Sequence, residues 1–418
     1  MVSYDTESYH LPALSILEKA EFNRSPDSDE AEFFRTPGFP LILAGFYKLF
    51  GVSYIPFIVF QIVLGAFIIP TLAYHLGKMM FNETAGFLSA LLLVLDPNLF
   101  FLNFLVLSET LNLLLVLGIA TICYKLLSTG FSWTTLISLS LIIVISIFVR
   151  PIAILLPLCI VFGILITKKW NDLKTWRQAA IAAFVLLVFP WGSVELWKMR
   201  NEARVGTDQI CGVSSINMLK FRAAGVYAIE NDISFGDAFA IIQGEMMSNT
   251  NPEDNIHDRR MEYGVNYIKE HPFTYFKMVI GKIPKMLLGP GLAKPLIFLG
   301  IHDLMEEINL ESYKRIFGQL INKRPIVLFW IGYFGFFVLL LNAAFLAGML
   351  NTIRHILTNK NWISHLCILG ILAYFIFMSA GPEANARFRA SFTGIYSIYA
   401  GYGLSVLILF YKKLSHRQ

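Results

Sequence analysis

The sequence predicts an all-α polytopic membrane protein, because both its composition and its hydrophobic patterning are typical of that class. Hydrophobic residues make up 56% of the 418 residues and charged residues only 15%, and the mean hydropathy is +0.60. A soluble domain of this length is far less apolar. The apolar runs are continuous rather than alternating, which favours membrane-spanning helices over a β-barrel.

Nine apolar runs are predicted to cross the membrane. Their approximate bounds are 53–76, 84–96, 109–127, 133–149, 152–167, 178–197, 326–350, 363–380 and 391–411. Several are shorter than the about 20 residues that span a bilayer, so we expect their ends to extend into neighbouring residues or the bundle to be locally thin. The segment 39–50 is too short to cross and is predicted to lie at the membrane interface.

The placement of basic residues predicts the orientation of the chain. Lysine and arginine concentrate in one set of short loops, which is typical of the cytoplasmic side. These residues are Lys78, Lys125, Lys168, Lys169, Lys174, Arg177, Arg354, Lys360, Lys412, Lys413 and Arg417. The net charge of +5 is therefore explained by orientation and does not indicate nucleic-acid binding.

This orientation divides the chain into four regions. We expect 1–52 to form an external first loop with an interfacial helix, and 53–197 to form an N-terminal transmembrane bundle. The region 198–325 is predicted to be an external loop region with an interfacial helix near 276–301, followed by C-terminal transmembrane helices and a cytoplasmic tail in 326–418. An external N-terminus without a preceding apolar helix leads to the hypothesis that a first membrane helix is encoded upstream of Met1.

The cysteines do not indicate a metal centre or a disulfide framework. Three of the four, Cys123, Cys159 and Cys367, lie in apolar runs, where cysteine serves as a small buried hydrophobic residue. The sequence also contains no glycine-rich phosphate loop, which argues against a soluble nucleotide-bound donor.

Two charged residues flank the first polar segment. Asp5, Tyr9 and Ala13 have the spacing i, i+4 and i+8, so a helix places them on one face. A carboxylate there can act as a general base, or Asp5 can be a solvated residue at a helix start. Arg35 directly precedes Thr-Pro-Gly at the membrane entry, where a guanidinium can bind a phosphate through two hydrogen bonds or anchor the chain at the interface.

Further charged residues lie at the predicted outer ends of apolar runs. Glu109 follows Ser108 at the start of a run, where a carboxylate is costly unless it faces a polar cavity, although capping of the helix start is the alternative. Outer arginines depart from the positive-inside tendency and suggest an anionic ligand, or else anchoring or pairing with the first loop. They are Arg150, Arg200 beside Asn201, Arg387 and Arg389.

The order of these motifs resembles the GT-C class of membrane glycosyltransferases, in particular the branch with protein O-mannosyltransferases and lipid A aminoarabinose transferase. The resemblance covers nearly the whole chain and depends on order and spacing. Its motifs are Asp5…Tyr9…Ala13, Arg35-Thr-Pro-Gly-Phe-Pro, Asp96-Pro97, Ser108-Glu109-Thr110-Leu111, Val149-Arg150-Pro151, Phe189-Pro190-Trp191, Arg200-Asn201 and Arg387-Phe-Arg389. It implies a GT-C-like transmembrane helix bundle with a long external loop region.

The resemblance also implies a chemistry. The donor would be a polyprenyl-phosphate-linked sugar, and the acceptor a lipid, glycan or protein. Asp5 matches the catalytic carboxylate, with Glu7 as the alternative. Arg35 matches the residue that binds the donor phosphate, and Glu109, with Asp96 second, matches an acidic residue of the same cavity.

The remaining candidates follow from the same resemblance. Arg150, Arg387 and Arg389 are expected to help bind the donor phosphate, and Tyr9, Arg200 and Asn201 are candidates for substrate binding. A divalent metal near the two carboxylates is compatible with the resemblance but not required, and no other cofactor is implied. We expect an integral, multi-pass protein of a bacterial plasma membrane, surrounded by membrane lipids, with its active site on the external, periplasmic face.

Two other function classes compete with this interpretation. A transporter or flippase of a lipid-linked or anionic solute would place ionisable residues near the membrane midplane and often shows paired repeats. A noncatalytic membrane partner would not require Asp5 or Arg35. The ionisable residues cluster at the outer rim and no repeat is visible, which favours the enzyme.

Overall fold

A computed structural model describes residues 4–167, 173–248, 254–289, 291, 325–358 and 362–415. Within these ranges every regular element is helical, apart from an isolated antiparallel bridge between Asn23 and Ala31. The predicted all-α class is confirmed. Parts of the predicted external region 198–325 lie outside the described residues, as do Lys168, Lys169, Lys360 and Arg417; these parts are 249–253, 290 and 292–324.

The described helices follow one another along the chain and are numbered here in order. They are α1 (Tyr4–Lys19), α2 (Gly38–Phe50), α3 (Ile55–Val63), α4 (Ile69–Met80), α5 (Glu83–Leu95), α6 (Pro97–Leu102), α7 (Glu109–Thr129), α8 (Trp133–Val149), α9 (Leu156–Thr167), α10 (Leu173–Val205), α11 (Gly212–Asn217), α12 (Ala224–Asn231), α13 (Phe235–Ser248), α14 (Ile256–Glu270), α15 (Pro272–Leu288), α16 (Pro325–Thr358), α17 (Trp362–Ser379), α18 (Ala386–Arg389) and α19 (Thr393–Ser415). A π-helical stretch, Leu64–Ile68, joins α3 to α4, and another, Met218–Ala223, joins α11 to α12.

Six helices in the described part of the chain are long and apolar enough to cross a membrane, which makes this an integral membrane protein. They are Ile55–Met80, Glu109–Thr129, Trp176–Val205, Leu328–Arg354, Trp362–Ser379 and Thr393–Lys413. These six correspond to six of the nine predicted crossings. The other three predicted crossings are the shorter apolar helices Glu83–Leu95, Trp133–Val149 and Pro151–Ile166, and whether they cross stays a prediction.

The last helix, α19, packs closely against α16 through glycine. A Cβ on Gly348 would lie 1.9 Å from the carbonyl oxygen of Tyr399, and a Cβ on Gly403 would lie 2.0 Å from that of Ala344. Small residues allow the backbones of membrane helices to approach this closely. Because α19 is fixed in the bundle, the short helix α18 that precedes it also has a defined place.

Candidate active site

Five charged side chains from five separate segments meet where helices begin or end; we call them the charged cluster. Asp5 lies in the first turn of α1, and Arg35 lies in the loop before α2. Glu109 is the first residue of α7, Arg150 is the C-cap of α8, and Arg387 lies in α18. All five are candidates that the sequence indicated, and the structure brings them together.

The close approach of α2 to α8 positions two members of the cluster. A Cβ on Gly38, the first residue of α2, would lie 2.5 Å from the carbonyl carbon of Phe148 near the end of α8. Only glycine fits so close to another backbone without displacement. The loop that carries Arg35 is thereby held beside the end of the helix that carries Arg150.

Asp5 is held between two arginines. Its Oδ1 accepts a hydrogen bond from Nη2 of Arg35 at 2.7 Å, and its Oδ2 accepts one from Nη1 of Arg387 at 2.7 Å. Burial alone would raise the pKa of Asp5, but the charges of Arg387 and Arg35 outweigh burial and hold its pKa below the usual value. Asp5 is therefore a carboxylate at neutral pH.

Glu109 is the most deeply buried member, with a side chain that is 1% exposed. Its Oε1 accepts a hydrogen bond from Nε of Arg387 at 2.5 Å and lies 3.5 Å from Nη1 of Arg150. Its Oε2 is buried and makes no hydrogen bond within the described part of the chain. Ser108 occupies the N-cap of α7 without a capping hydrogen bond from its side chain, so the geometry of Glu109 is set by arginines.

Arg35 is fixed by neighbours from the first segment. Its Nε donates to Oγ of Ser8 at 2.9 Å, and its guanidinium carbon lies 4.5 Å from the centre of the Tyr9 ring and 4.8 Å from that of Phe34. Its backbone N–H donates to Oε1 of Glu32 at 2.8 Å. Aromatic faces attract a guanidinium, so Tyr9 supports the orientation of Arg35.

Arg387 connects the two carboxylates. Burial opposes its charge, but Glu109 and Asp5 outweigh burial and raise its pKa above the usual value. Three guanidinium groups face two carboxylates in the cluster, which leaves one surplus positive charge. Nη1 of Arg150 is buried and makes no hydrogen bond among the described residues. The arrangement is therefore suited to binding an anion whose oxygen atoms accept hydrogen bonds from the guanidinium groups.

The cluster does not fit a divalent metal. Among the residues that the structure describes, no group of three or more His, Cys, Asp or Glu side chains could hold a metal ion. The two available carboxylates are already paired with arginines. Hard divalent cations need several oxygen ligands, and the surplus guanidinium would repel them.

Several sequence candidates lie elsewhere. Arg389 is 1% exposed, and its Nη1 donates to the carbonyls of Leu287 at 2.8 Å and Gly289 at 3.4 Å, at the end of α15. This is the interaction expected of a cation at a helix C-terminus. Asp96 caps the start of α6, because its Oδ1 accepts from the backbone N–H of Asn98 at 2.8 Å.

Three other candidates also lie apart from the cluster. Arg200 donates to the carbonyls of Phe22 and Glu32, each at 2.9 Å, and Asn201 donates to the carbonyl of Gln209 at 2.8 Å. Both residues hold loops against α10. Glu7 is exposed, so of the two alternative carboxylates in the first segment, Asp5 is the one in the cluster.

Three residues around the cluster were not predicted from the sequence: Ser8, Arg222 and Glu383. Ser8 had no signal beyond lying one helical turn from Asp5. Arg222 lies in the π-helical stretch Met218–Ala223 of the long polar region, and its Nη2 is 3.3 Å from Oε1 of Glu383. Glu383 could have been noticed as an acidic residue four positions before Arg387.

Comparison with known proteins supports the fold. Residues 34–193 match the family model of dolichyl-phosphate-mannose-protein mannosyltransferase. A crystal structure of the Archaeoglobus fulgidus oligosaccharyltransferase, in complex with Zn and sulfate, matches with a TM-score of 0.50 and 13% identity, over 99% of this chain and 46% of that chain. The chain has a GT-C fold. The resemblance stated from the sequence is confirmed to that extent, and no curated protein sequence matches the chain.

Two other solved structures resemble the chain with lower TM-scores. The archaeal oligosaccharyltransferase AglB from Archaeoglobus fulgidus, in complex with an inhibitory peptide and a dolichol-phosphate, has a TM-score of 0.45 and 12% identity, over 99% of this chain and 48% of that one. ArnT from Cupriavidus metallidurans in the apo state has a TM-score of 0.38 and 13% identity, over 96% and 73%. The chain spans about half the length of the archaeal oligosaccharyltransferases that it matches.

The family match includes part of the charged cluster. Arg35, Glu109 and Arg150 lie within residues 34–193, whereas Asp5 and Arg387 lie outside this range. The contacts of Asp5 and Arg387 with the matched part are therefore observations of the structure alone.

Proposed function

We propose that this protein is a membrane glycosyltransferase that moves a sugar from a polyprenyl-phosphate donor to a lipid, glycan or protein acceptor. The observation that carries the proposal is the Asp5 carboxylate held between Arg35, which lies just before α2, and Arg387, which lies just before α19. Asp5 can act as a base, and the two arginines beside it can bind a phosphate. Glycosyl transfer from a lipid phosphate requires this combination.

The charge of the cluster supports a phosphate-linked donor. A polyprenyl-phosphate sugar is a phosphodiester with one negative charge, and the cluster has one surplus positive charge. Arg35 and Arg387 can each present two N–H groups to phosphate oxygens, an arrangement that arginine favours. Arg150, whose Nη1 makes no hydrogen bond among the described residues, supplies a further donor to the same anion.

Donor binding would also prepare Asp5 for its role. Each carboxylate oxygen of Asp5 is bound by a guanidinium, and the charges of Arg387 and Arg35 hold its pKa low. When phosphate oxygens engage Arg35 and Arg387, these contacts weaken and the pKa of Asp5 rises. A carboxylate released in this way is a better acceptor for the proton of an incoming hydroxyl.

The transfer itself follows from these positions. The acceptor oxygen attacks the anomeric carbon, its proton passes to Asp5, and the bond between that carbon and the phosphate oxygen breaks. The phosphate gains negative charge as it leaves. Arg35 and Arg387 stabilise that charge, while buried Glu109 holds Arg387 from its other side.

The placement in the membrane is part of the proposal. The distribution of lysine and arginine supports an external position for the cluster, in a bacterial plasma membrane, with 198–325 as an external region on the acceptor side. The division of the chain into the regions 1–52, 53–197, 198–325 and 326–418 belongs to the same proposal. Membrane lipids would surround the apolar helices, and the polyprenyl chain of the donor would reach the charged cluster through them.

A flippase remains the alternative class, and the position of the cluster favours the enzyme. Glu109 is the first residue of α7 and Arg150 follows the last residue of α8, so both charges lie at helix ends. Coupled transporters place such groups near the membrane midplane.

Purified protein in lipid, incubated with a panel of polyprenyl-phosphate sugars, tests the proposal. Release of free polyprenyl phosphate is measured for the wild type, for Asp5→Asn, and for Glu7→Gln as the matched control at an exposed carboxylate. We expect release that Asp5→Asn abolishes and Glu7→Gln preserves. Movement of intact donor across vesicle membranes without release, by protein of normal stability, would instead favour the flippase.

A further inference from the structure

The segment just before Arg387 is held by an arginine from the long polar region. Nη1 of Arg222 donates to the carbonyl of Ala380, and its Nη2 donates to the carbonyl of Met378 at 2.9 Å. The same Nη2 lies 3.3 Å from Oε1 of Glu383, and the two side chains are 14% and 15% exposed. One side chain thus ties the end of α17 to the loop that follows it.

Close packing leaves this loop little freedom. A Cβ on Gly381 would lie 2.4 Å from Oε2 of Glu383 and 2.8 Å from Nη1 of Arg222. A Cβ on Gly225, in the helix after the π-helical stretch, would lie 2.5 Å from Cγ of Pro382. Residues 381–383 therefore pack closely against Arg222 and against the start of α12.

The loop leads directly into Arg387. Asn385 caps the start of α18, because its Oδ1 accepts from the backbone N–H of Arg387 at 2.9 Å. Nδ2 of Asn98 donates to the carbonyl of Ala386 at 3.0 Å. The backbone at Arg387 is thus held by Asn98 and Asn385, and the Arg222–Glu383 contact lies four residues before it.

We propose that Arg222 is a positioning residue that, through Glu383 and the carbonyls of Met378 and Ala380, holds Arg387 between Asp5 and Glu109. The affinity of the cluster for a phosphate group attached to a lipid then depends on the region that contains Arg222. The identity of this ligand rests on the proposed function, whereas the positioning of Arg387 does not. The π-helical conformation at Arg222 agrees with such a role, since π-turns often occur at functional sites.

The competing interpretation is that Arg222 only stabilises the C-terminal end of α17. A cation at helix carbonyls does stabilise that end. If Arg222 only stabilises α17, Arg222→Ala lowers the melting temperature, and any effect on binding adds to the effect of Arg387→Ala. If Arg222 positions Arg387, its effect on binding depends on Arg387 being present. A double-mutant cycle distinguishes the two, because residues that act through one another are not additive.

The first measurement is the affinity with which the protein, embedded in lipid nanodiscs, binds polyprenyl phosphate. We compare the wild type, Arg222→Ala, Arg387→Ala and the double variant, with Arg24→Ala as the control for an exposed arginine paired with Glu30. We expect Arg222→Ala to weaken binding about tenfold, no further weakening in the Arg387→Ala background, and no effect of Arg24→Ala. Full additivity in the double variant, or unchanged affinity in Arg222→Ala, would overturn the positioning role.

The second measurement needs no ligand. Hydrogen exchange of the backbone amides in 385–390 should become faster in Arg222→Ala and remain unchanged in Arg24→Ala. If Arg222→Ala does not fold, Arg222→Lys serves instead, because lysine keeps the charge but cannot bind two carbonyls and a carboxylate in a planar arrangement. Unchanged exchange in a folded variant counts against the inference.

The two readouts separate two kinds of failure. If the wild type binds no polyprenyl phosphate, the proposed function is wrong, and hydrogen exchange alone decides whether Arg222 positions Arg387. If the wild type binds it and the cycle is additive, the proposed function stands and the positioning role is wrong.

Discussion

Nε of Arg387 lies 2.5 Å from Oε1 of Glu109, a carboxylate whose side chain is 1% exposed. A buried charge without a partner is costly, so each of these residues depends on the other. Arg387 is also the residue that reaches Asp5. Buried Glu109 therefore holds the arginine that the proposed reaction uses.

The first prediction concerns Arg35. Arg35→Ala should lower kcat/KM for the donor by roughly 10²–10³, because it removes a charged hydrogen-bond donor from the departing phosphate. Arg35→Lys should recover part of this loss, since lysine restores charge without the planar pair of donors. Steady-state kinetics with each substrate varied in turn is the measurement. A defect confined to the acceptor would contradict the phosphate role.

The second prediction concerns the buried carboxylate. Glu109→Gln leaves Arg387 and Arg150 without their shared counter-charge, and we expect a loss of about 3–5 kcal/mol in the free energy of unfolding. The double variant Glu109→Gln/Arg150→Met should recover part of that loss, because it removes one unpaired cation. The control is Glu83→Gln, an exposed carboxylate at the first residue of α5, which should unfold like the wild type. Equal stability of Glu109→Gln and Glu83→Gln would show that the pair is not stabilising.

The third prediction concerns the approach of α2 to α8. Gly38→Val forces a Cβ to within 2.5 Å of the Phe148 backbone, and overpacking of this kind costs about 1–3 kcal/mol. We expect a lower melting temperature and weaker donor binding, since Arg35 is displaced from the cluster. Gly45→Val, in the same helix with open space around its Cβ, is the matched control. Identical melting temperatures for the two variants would argue that the contact is not close in solution.

The fourth prediction concerns pH. The arginines lower the pKa of Asp5 in the folded protein, so Asp5 binds a proton more readily in the unfolded chain, where its pKa is about 3.9. Its contribution to stability is therefore fully present above that value and is lost as pH falls through the lower folded-state pKa. The difference in melting temperature between the wild type and Asp5→Asn should be constant near neutral pH and shrink in acid. A difference that grows in acid would contradict the ion pairs.

Glu109, Arg150 and Arg387 could be predicted from sequence because each lies at the edge of an apolar run, and Arg35 because it precedes one, whereas Asp5 was indicated by its helical spacing with Tyr9 and by the order of the motifs. A charge in such a place has to bind a partner, cap a helix or reach water, and the order of the motifs indicated which residues share a partner. The pattern could not separate Arg387 from Arg389, two positions apart. Arg389 binds a carbonyl at the end of α15 instead. That helix is far away in the sequence, and the periodicity of apolar residues does not reveal where it lies.

Asp96 and the short helices show the same limit. Asp96 has the same kind of sequence context as Glu109, but it caps α6, while Glu109 faces arginines that arrive from two other helices. The three short apolar helices have the composition of crossings without the length. Their depth in a bilayer depends on packing against longer neighbours, which a count of apolar residues does not describe.

Arg387 pairs with Glu109, which lies 278 positions earlier in the chain, and with Asp5, which lies 382 positions earlier. These long separations have a consequence for biosynthesis. A ribosome makes Asp5 and Glu109 long before it reaches Arg387. During that interval Glu109 has Arg150 as its counter-charge in the nascent bundle, and Asp5 has Arg35. Insertion of the final helices then adds Arg387 to both carboxylates and with it the surplus positive charge, so the cluster becomes suited to binding an anion only when the last part of the chain is in place.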